Sequence, residues 1–454
     1  MKLFDVLVAF ASLSLLLLLG IALRKRLRWL RQLGIPEALV AGLLGLLVGP
    51  FGPWSIFPER VYAVWAQTPG VLISLVFATL FLGQRLPSPQ ELWRRAAGQT
   101  AFGMTLGFGQ YLVGGVLVLA VLQPLFGTNP LMACLIEVGF EGGHGTAAGM
   151  GPTFRDLGLA SGEALGLAMA TVGVLAAVLI GSTLVVIGRS RQWLGQREAR
   201  LAGAEAELSD PFSAENRLLM ESASEKNQGE GITSESLTID ALTVNLALAG
   251  AAVGLGVLLK HGITQLGGEL LEAIPVFPLA MIGGLLVQLT LQWRRQSQLA
   301  SPLVQASLGS LAMDVLITAA MASLNLPLLE DNWLPFSLLA LAGLAWNVAV
   351  FLLLGPRVFP DHWFERAIAD FGQGTGVTAT GLLLLRMADP SGRSRAMEGF
   401  SFKQLVFEPF LGGGLVTALA PIALVSWGLP LFSAVALALT AGSILFGLSL
   451  GRSR

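Results

Sequence analysis

One cysteine and three histidines are all that the 454 residues contain. A lone thiol cannot close an internal disulfide, and so few imidazoles and thiols leave no constellation with metal-ligand spacing. Cys134 sits in an apolar run and reads as a small packing residue. Charge is also scarce. Only 13% of residues are charged and the formal net charge is −1, which argues against a nucleic-acid binder. No nucleophile–base pair or metal motif stands out, so an enzyme is the weakest class. A basic n-region is missing as well. Only Lys2 precedes the first apolar run and basic residues follow it, so 3–23 reads as a membrane helix with its N-terminus outside, not as a signal peptide.

What is present is apolar. The chain is 54% hydrophobic with 55 glycines, and its mean hydropathy is +0.71. Several stretches can cross about 30 Å of hydrocarbon at about 1.5 Å per residue. Spans are expected near 3–23, 36–52, 69–84, 98–122, 160–188, 239–259, 274–292, 302–324, 336–355, 404–428 and 430–450. Basic clusters fall on one side of this alternation. They include Arg24 to Arg31, Arg85 with Arg94 and Arg95, Arg189 to Arg200, Arg294 and Arg295, Arg357 and Arg366, Lys403, and Arg452 with Arg454. The positive-inside rule makes that side cytoplasmic and puts the C-terminus inside, in an inner (plasma) membrane protein. Residues 189–238, rich in Glu, Ser, Ala and Asn from Glu205 to Glu235, read as a cytoplasmic linker that cannot bury a core.

A Gly-rich polar string occurs in each half. The first is Phe140-Glu141-Gly142-Gly143-His144-Gly145-Thr146-Ala147-Ala148-Gly149, and the second is Phe371-Gly372-Gln373-Gly374-Thr375-Gly376-Val377-Thr378-Ala379-Thr380-Gly381. Irregular backbone at membrane depth is tolerated only where protein or a wet cavity satisfies it. Paired interruptions of this kind point to a transporter's binding site. The halves also match elsewhere. Ile35-Pro36 recurs as Ile274-Pro275 at a shift of 239, and the intramembrane amides Gln110 and Asn347 are 237 apart. The expected fold is an all-α polytopic membrane protein of about 11 spans, in which two five-helix repeats each carry a re-entrant Gly-rich loop. An odd number of spans per repeat inverts the second copy. Its units are 1–188 with a loop near 131–150, the linker 189–238, 239–428 with a loop near 367–388, and an additional C-terminal helix in 429–454.

At these residues the chain resembles the sodium/glutamate symporter family. The likeness rests on Ile35-Pro36-Glu37, on Gly142-Gly143-His144-Gly145-Thr146, and on Phe371-Gly372, Gly374 and Thr378-Ala379, and extends over roughly 1–428. It implies a sodium-coupled symporter of glutamate or a related small organic anion, homodimeric, with transport domains moving against a scaffold. Two positions depart from the pattern. Glu141 stands where the family commonly has Ser, and the second string lacks a proline. An added carboxylate disfavours a dicarboxylate unless a cation neutralises it.

The candidate substrate residues are Glu141, Gly142, Gly143, His144, Gly145 and Thr146 with Gly372, Gln373, Gly374, Thr375, Gly376, Thr378 and Thr380. Glycine lets backbone approach a ligand closely, and its N–H and C=O groups can hold a carboxylate or Na⁺. Helix–helix packing through small residues is the competing reading. Na⁺ candidates are Glu141, Gln110, Asp314, Asn347 and Glu408, since ionisable groups in a membrane default to function. For the two amides, fixing loop backbone is an equal alternative. His144 is either a ligand contact or a satisfied core donor. Glu137 is a further intramembrane acid, Asp370 is expected to cap the second loop, and Arg386 to anchor at the cytoplasmic edge. The rival function is a sodium/proton or other cation antiporter that uses the acids alone.

Overall fold

The computed structural model describes residues 3–28, 30, 35–84, 89–194, 239–265, 272–325, 327–390 and 392–452. Residues 195–238 of the expected linker 189–238, and Arg31, Arg85 and Arg454, lie outside the described residues. Among those described the chain is helical and has no strand. The first half runs α1 (Leu3–Arg26), α2 (Glu37–Val48), α3 (Glu59–Thr79) and α4 (Pro89–Leu117), which continues through a π-turn at Val118–Leu122 to Phe126. A 3-10 turn then leads into α5 (Leu135–Phe140), α6 (Gly143–Gly149), α7 (Gly151–Asp156) and α8 (Gly162–Ser190). The second half runs α9 (Ile239–Gln265), α10 (Val276–Trp293), α11 (Pro302–Ala322), α12 (Trp333–Val358), α13 (Trp363–Thr375), α14 (Thr378–Ala388), α15 (Ala396–Phe407) and α16 (Leu415–Trp427). α17 (Leu429–Arg452) closes the chain and packs along α4.

Nine of the described helices are long and apolar enough to cross a membrane. The chain is therefore a polytopic all-α membrane protein. Three expected spans differ in detail. Region 36–52 forms α2, a helix of only 12 residues. Region 69–84 starts earlier, at Glu59, because α3 carries Pro69 in its interior and a proline normally reads as a boundary. Region 404–428 is two helices, α15 and α16, separated by a turn in which Gly412 (φ 70°) and Gly413 (φ 103°) adopt the left-handed conformation open to glycine.

Corresponding elements of the two halves begin alike. Pro36 and Pro275 each stand in extended conformation immediately before α2 and α10, where a missing N–H costs nothing. Each of these helices then packs against the other half. A Cβ on Gly45 of α2 would lie 2.5 Å from the Ala322 Cβ on α11, and one on Gly284 of α10 would lie 2.3 Å from the Ala78 carbonyl oxygen on α3. Without a hydrophobic effect between helices in lipid, such close backbone approach supplies dispersion contact. α1 joins α2 through Arg24, which is buried and donates to Glu37 Oε1 at 2.6 Å. This arginine is thus an internal tie between the two helices.

Hairpin α13–α14 is held by rings. Phe351 of α12 packs against Trp363, Phe364 and Phe371 of α13 with centroid distances of 5.3 to 5.7 Å. Offset and edge-on aromatic pairs add to their area burial. Arg189 Nη2 donates to the Met387 carbonyl at 2.7 Å, tying the end of α8 to the end of α14.

Gly284→Leu is expected to lower the thermal unfolding temperature of the purified protein by several degrees, since overpacking costs about 1–3 kcal/mol. Gly254→Leu, at a position with nothing within 4 Å of the added Cβ, is the control and should leave it nearly unchanged. Thermal unfolding in detergent checks the pair.

Candidate functional site

The two Gly-rich strings are mainly helical, contrary to the irregular loops expected of them. Residues 143–149 form α6 and 371–375 end α13, so the breaks narrow to Glu141–Gly142 and Gly376–Val377. Helix satisfies backbone N–H and C=O internally, which an apolar surrounding demands. Each string therefore sits on a helical hairpin, α5 with α6–α7 and α13 with α14, turning at its break.

The two turns meet. Gly143 (φ 70°) faces Val377, whose Cγ1 would lie 2.6 Å from a Cβ on that glycine. A Cβ on Gly374 would lie 3.0 Å from Glu141 Oε2. The α15–α16 break completes the cluster. A Cβ on Gly413 would lie 2.4 Å from Thr146 Oγ1, and one on Gly412 would lie 3.6 Å from Glu141 Cγ. Three interrupted elements thus converge, and only small residues let them do so.

The intramembrane amides fix the second turn. Gln110 Nε2 donates to the Gly374 carbonyl at 2.5 Å and to Asn347 Oδ1 at 3.2 Å. Asn347 Nδ2 donates to the same carbonyl at 2.7 Å and to Thr375 Oγ1 at 3.0 Å. Carbonyls in the last turn of a helix lack intrahelical partners, and here two side chains supply them. Both amides are fully buried, so the bonds form without competition from water. Of the two open roles, holding loop backbone is the one their donors fill.

Acceptors remain. Both carboxylate oxygens of Glu141 and Oε1 of Gln110 are buried without a hydrogen-bond partner. The other acids differ. Glu137, fully buried, accepts from Tyr111 Oη at 2.5 Å, Thr417 Oγ1 at 2.7 Å and the Gly412 N–H at 3.1 Å. It pins the first hairpin to the α15–α16 break. Glu408 Oε1 accepts from Gln404 Nε2 at 3.0 Å and Thr378 Oγ1 at 3.3 Å. Asp314 is exposed on α11, next to the Met313 that packs on Gly145, and Glu37 of α2 is a like charge in its surroundings.

Asp370 is not a cap. It lies inside α13, fully buried, with Oδ1 3.3 Å from Nζ of Lys403 on α15. Lys403 also donates to Gln373 Oε1 at 2.7 Å. This lysine is wholly buried, which overturns its expected place as a basic flank of a span. α15 starts at Ala396, so Lys403 falls about two turns inside the helix instead of ahead of it.

His144 faces α8, with Nε2 3.0 Å from Thr171 Oγ1. Gly145 turns towards Met313 of α11, whose Sδ would lie 2.9 Å from an added Cβ. These two contact neighbouring helices instead of the opposite turn. Gly372 packs on Gly381, and Thr380 lies over Gly376, within the second hairpin. Gly142 packs on Thr146 inside the first. Arg386 occupies the last turn of α14. Among the described residues no group of three or more His, Cys, Asp and Glu is placed to hold a metal ion. A cation here would need amide, hydroxyl or carbonyl oxygens beside Glu141, the hard donors that suit Na⁺.

Sequence reasoning passed over Tyr111, Thr171, Gln404 and Thr417, and it misread Lys403. The available signal was the lysine's setting between Phe400 and Phe407, with no other charged residue between Glu398 and Glu408.

The hairpin carrying Gly142 to Thr146 and the amide pair both lie within the stretch that matches a known family. A profile of the sodium/glutamate symporter covers residues 2–355. The chain belongs to the sodium/glutamate symporter family. The family is one of transporters and not of enzymes. The match ends before the second hairpin, short of the roughly 1–428 expected. A sodium/glutamate symporter of Haemophilus influenzae is 24% identical over 348 residues, covering 75% of this chain and 74% of that protein. A solved sodium proton antiporter from Methanocaldococcus jannaschii is similar at a TM-score of 0.40 and 19% identity, covering 96% of this chain and 99% of that one.

Asn347→Leu removes two donors from the second turn and leaves the Gly374 carbonyl with one. The expected cost is about 1–3 kcal/mol, read as a lower unfolding temperature. An unchanged value would mean that the amide does not hold the turn.

Proposed function

We propose that this member of the family carries glutamate or a related small organic anion into the cell together with Na⁺, by alternating access. The observation that carries the reading is the set of unpartnered buried acceptors, both oxygens of Glu141 and Oε1 of Gln110, where the hairpin turns meet. A buried carboxylate with no donor is costly, and a bound cation is the ligand that relieves it. The anion has a complementary place beside it. α14 begins at Thr378 after Val377, which offers no side-chain cap; Thr380 and Gly381 donate to the Val377 carbonyl, which leaves the N–H groups of Thr378 and Ala379 to receive a carboxylate. Thr378, Thr375 and Gln373 supply polar groups around that turn.

In this reading the two halves are inverted five-helix repeats, with the N-terminus outside and the linker and C-terminus cytoplasmic. α4 to α8 with α12 to α16 form the moving unit, and α1 to α3 with α9 to α11 form the scaffold, paired in a homodimer. The face between them is smooth where Gly145 and Gly149 meet Met313 and Ile73. Small residues along a sliding contact present few ridges to interlock. Na⁺ at Glu141 offsets the charge of the anion, so the loaded cluster moves more readily than the half-loaded one.

Cation antiport is the second reading, favoured by the number of acids around the turns. Reconstituted protein separates the two. An inward Na⁺ gradient is expected to drive accumulation of labelled glutamate, and equal uptake with choline in place of Na⁺ would sink the coupling. Sodium-driven proton efflux without any solute uptake would support the antiporter. Glu141→Gln is expected to raise the Na⁺ concentration for half-maximal uptake by about tenfold, matching loss of roughly 1.4 kcal/mol of cation binding.

A further inference from the structure

The lysine buried beside the hairpin turns is unusual in its surroundings. Its ammonium is fully enclosed, sits 3.7 Å from the centroid of the Phe407 ring and 5.6 Å from that of Phe400. Room for it is made on α4, where a Cβ on Gly103 would lie 2.6 Å from Lys403 Cε. Its shortest bond goes to a neutral group, Gln373 Oε1 at 2.7 Å. The contact with Asp370 is longer, at 3.3 Å, and Gln99 also faces that carboxylate. Lys403 is therefore not the dedicated partner of one acid. Its field acts on three carboxylates, Asp370, Glu141 and Glu408, which come from α13, the first turn and the α15–α16 break. Glu137 adds a further negative charge at Glu141.

A buried ion pair seldom stabilises a fold more than an apolar replacement would, so the pair points to a role besides stability. A single positive charge shared by three acids does what a bound monovalent cation does, without having to be captured from solution. We propose that Lys403 is a resident counter-cation of the hairpin-turn cluster, standing where one more Na⁺ would otherwise be needed. Removing it creates an additional sodium requirement. The proposal rests on the reading of this cluster as the sodium-coupled site, and it adds that one of the cluster's cations is covalently attached to α15.

The test uses the full chain purified in detergent, with thermal unfolding followed across a NaCl series at constant ionic strength set by choline chloride. The variants are Lys403→Met, and Lys403→Met combined with Asp370→Asn, in which the direct ion pair is removed as a unit. Both are expected to gain a sodium-induced rise in unfolding temperature larger than that of the wild type by about 3 °C or more, as expected for a newly acquired site. A lysine that served Asp370 alone gives a different result, because the double variant then responds to Na⁺ as the wild type does. That outcome overturns the proposal. If either variant is recovered folded only in high NaCl, sodium has taken the lysine's place and the proposal holds. If neither is recovered even there, the lysine's role is structural and the proposal falls. A wild type insensitive to Na⁺ counts against sodium coupling itself, while the variants' gain over it still decides the role of Lys403.

Discussion

The carbonyl of Gly374 is the point on which the centre of this protein depends. Two amides from opposite halves of the chain, Gln110 and Asn347, donate to that one oxygen. An isolated carbonyl at the end of a helix would be an expensive thing to bury, and satisfying it from both sides turns a weak spot into a fixed one. Once Gly374 is fixed, Thr375 and the turn that follows are fixed with it. The first hairpin then has a surface to meet, and Glu141 is brought to the second. The cluster at the turns is a consequence of how one backbone group is satisfied.

The same economy of donors sorts the acids. Glu137 receives three hydrogen bonds and works as a joint between the first hairpin and the glycine break. Glu408 takes two. Glu141, one helical turn from Glu137, receives none. Two glutamates on one short segment thus have opposite characters, and the difference lies in what the neighbouring elements offer. A carboxylate with its acceptors filled holds structure, and one with its acceptors empty is available to a ligand.

Much of this could be read in the chain. Helix positions followed from apolar run length, and the Ile-Pro pair marked the starts of α2 and α10. The Gly-rich strings marked where the hairpins turn. What could not be read was conformation inside them, because glycine with alanine and threonine is compatible with either helix or loop, and only the surroundings decide. The place of Asp314 was hidden for a related reason. An acid in an apolar span has the same appearance whether it faces its own protein or the outside of α11. Lys403 was hidden by an edge. A span placed to begin at 404 leaves the lysine just outside, whereas the helix that forms begins at Ala396 and carries it indoors.

Gly103 is what lets Lys403 in. Its backbone is ordinary helix, and the lysine's terminal methylene occupies the space that a side chain there would take. One missing methyl group on α4 thus sets where a charge on α15 rests, and a chain bearing alanine at the first position would have to move the far end of the long cation at the second. The two residues are 300 apart in sequence and act as a single character. A glycine on a packing face is, in this fold, a permission for electrostatics.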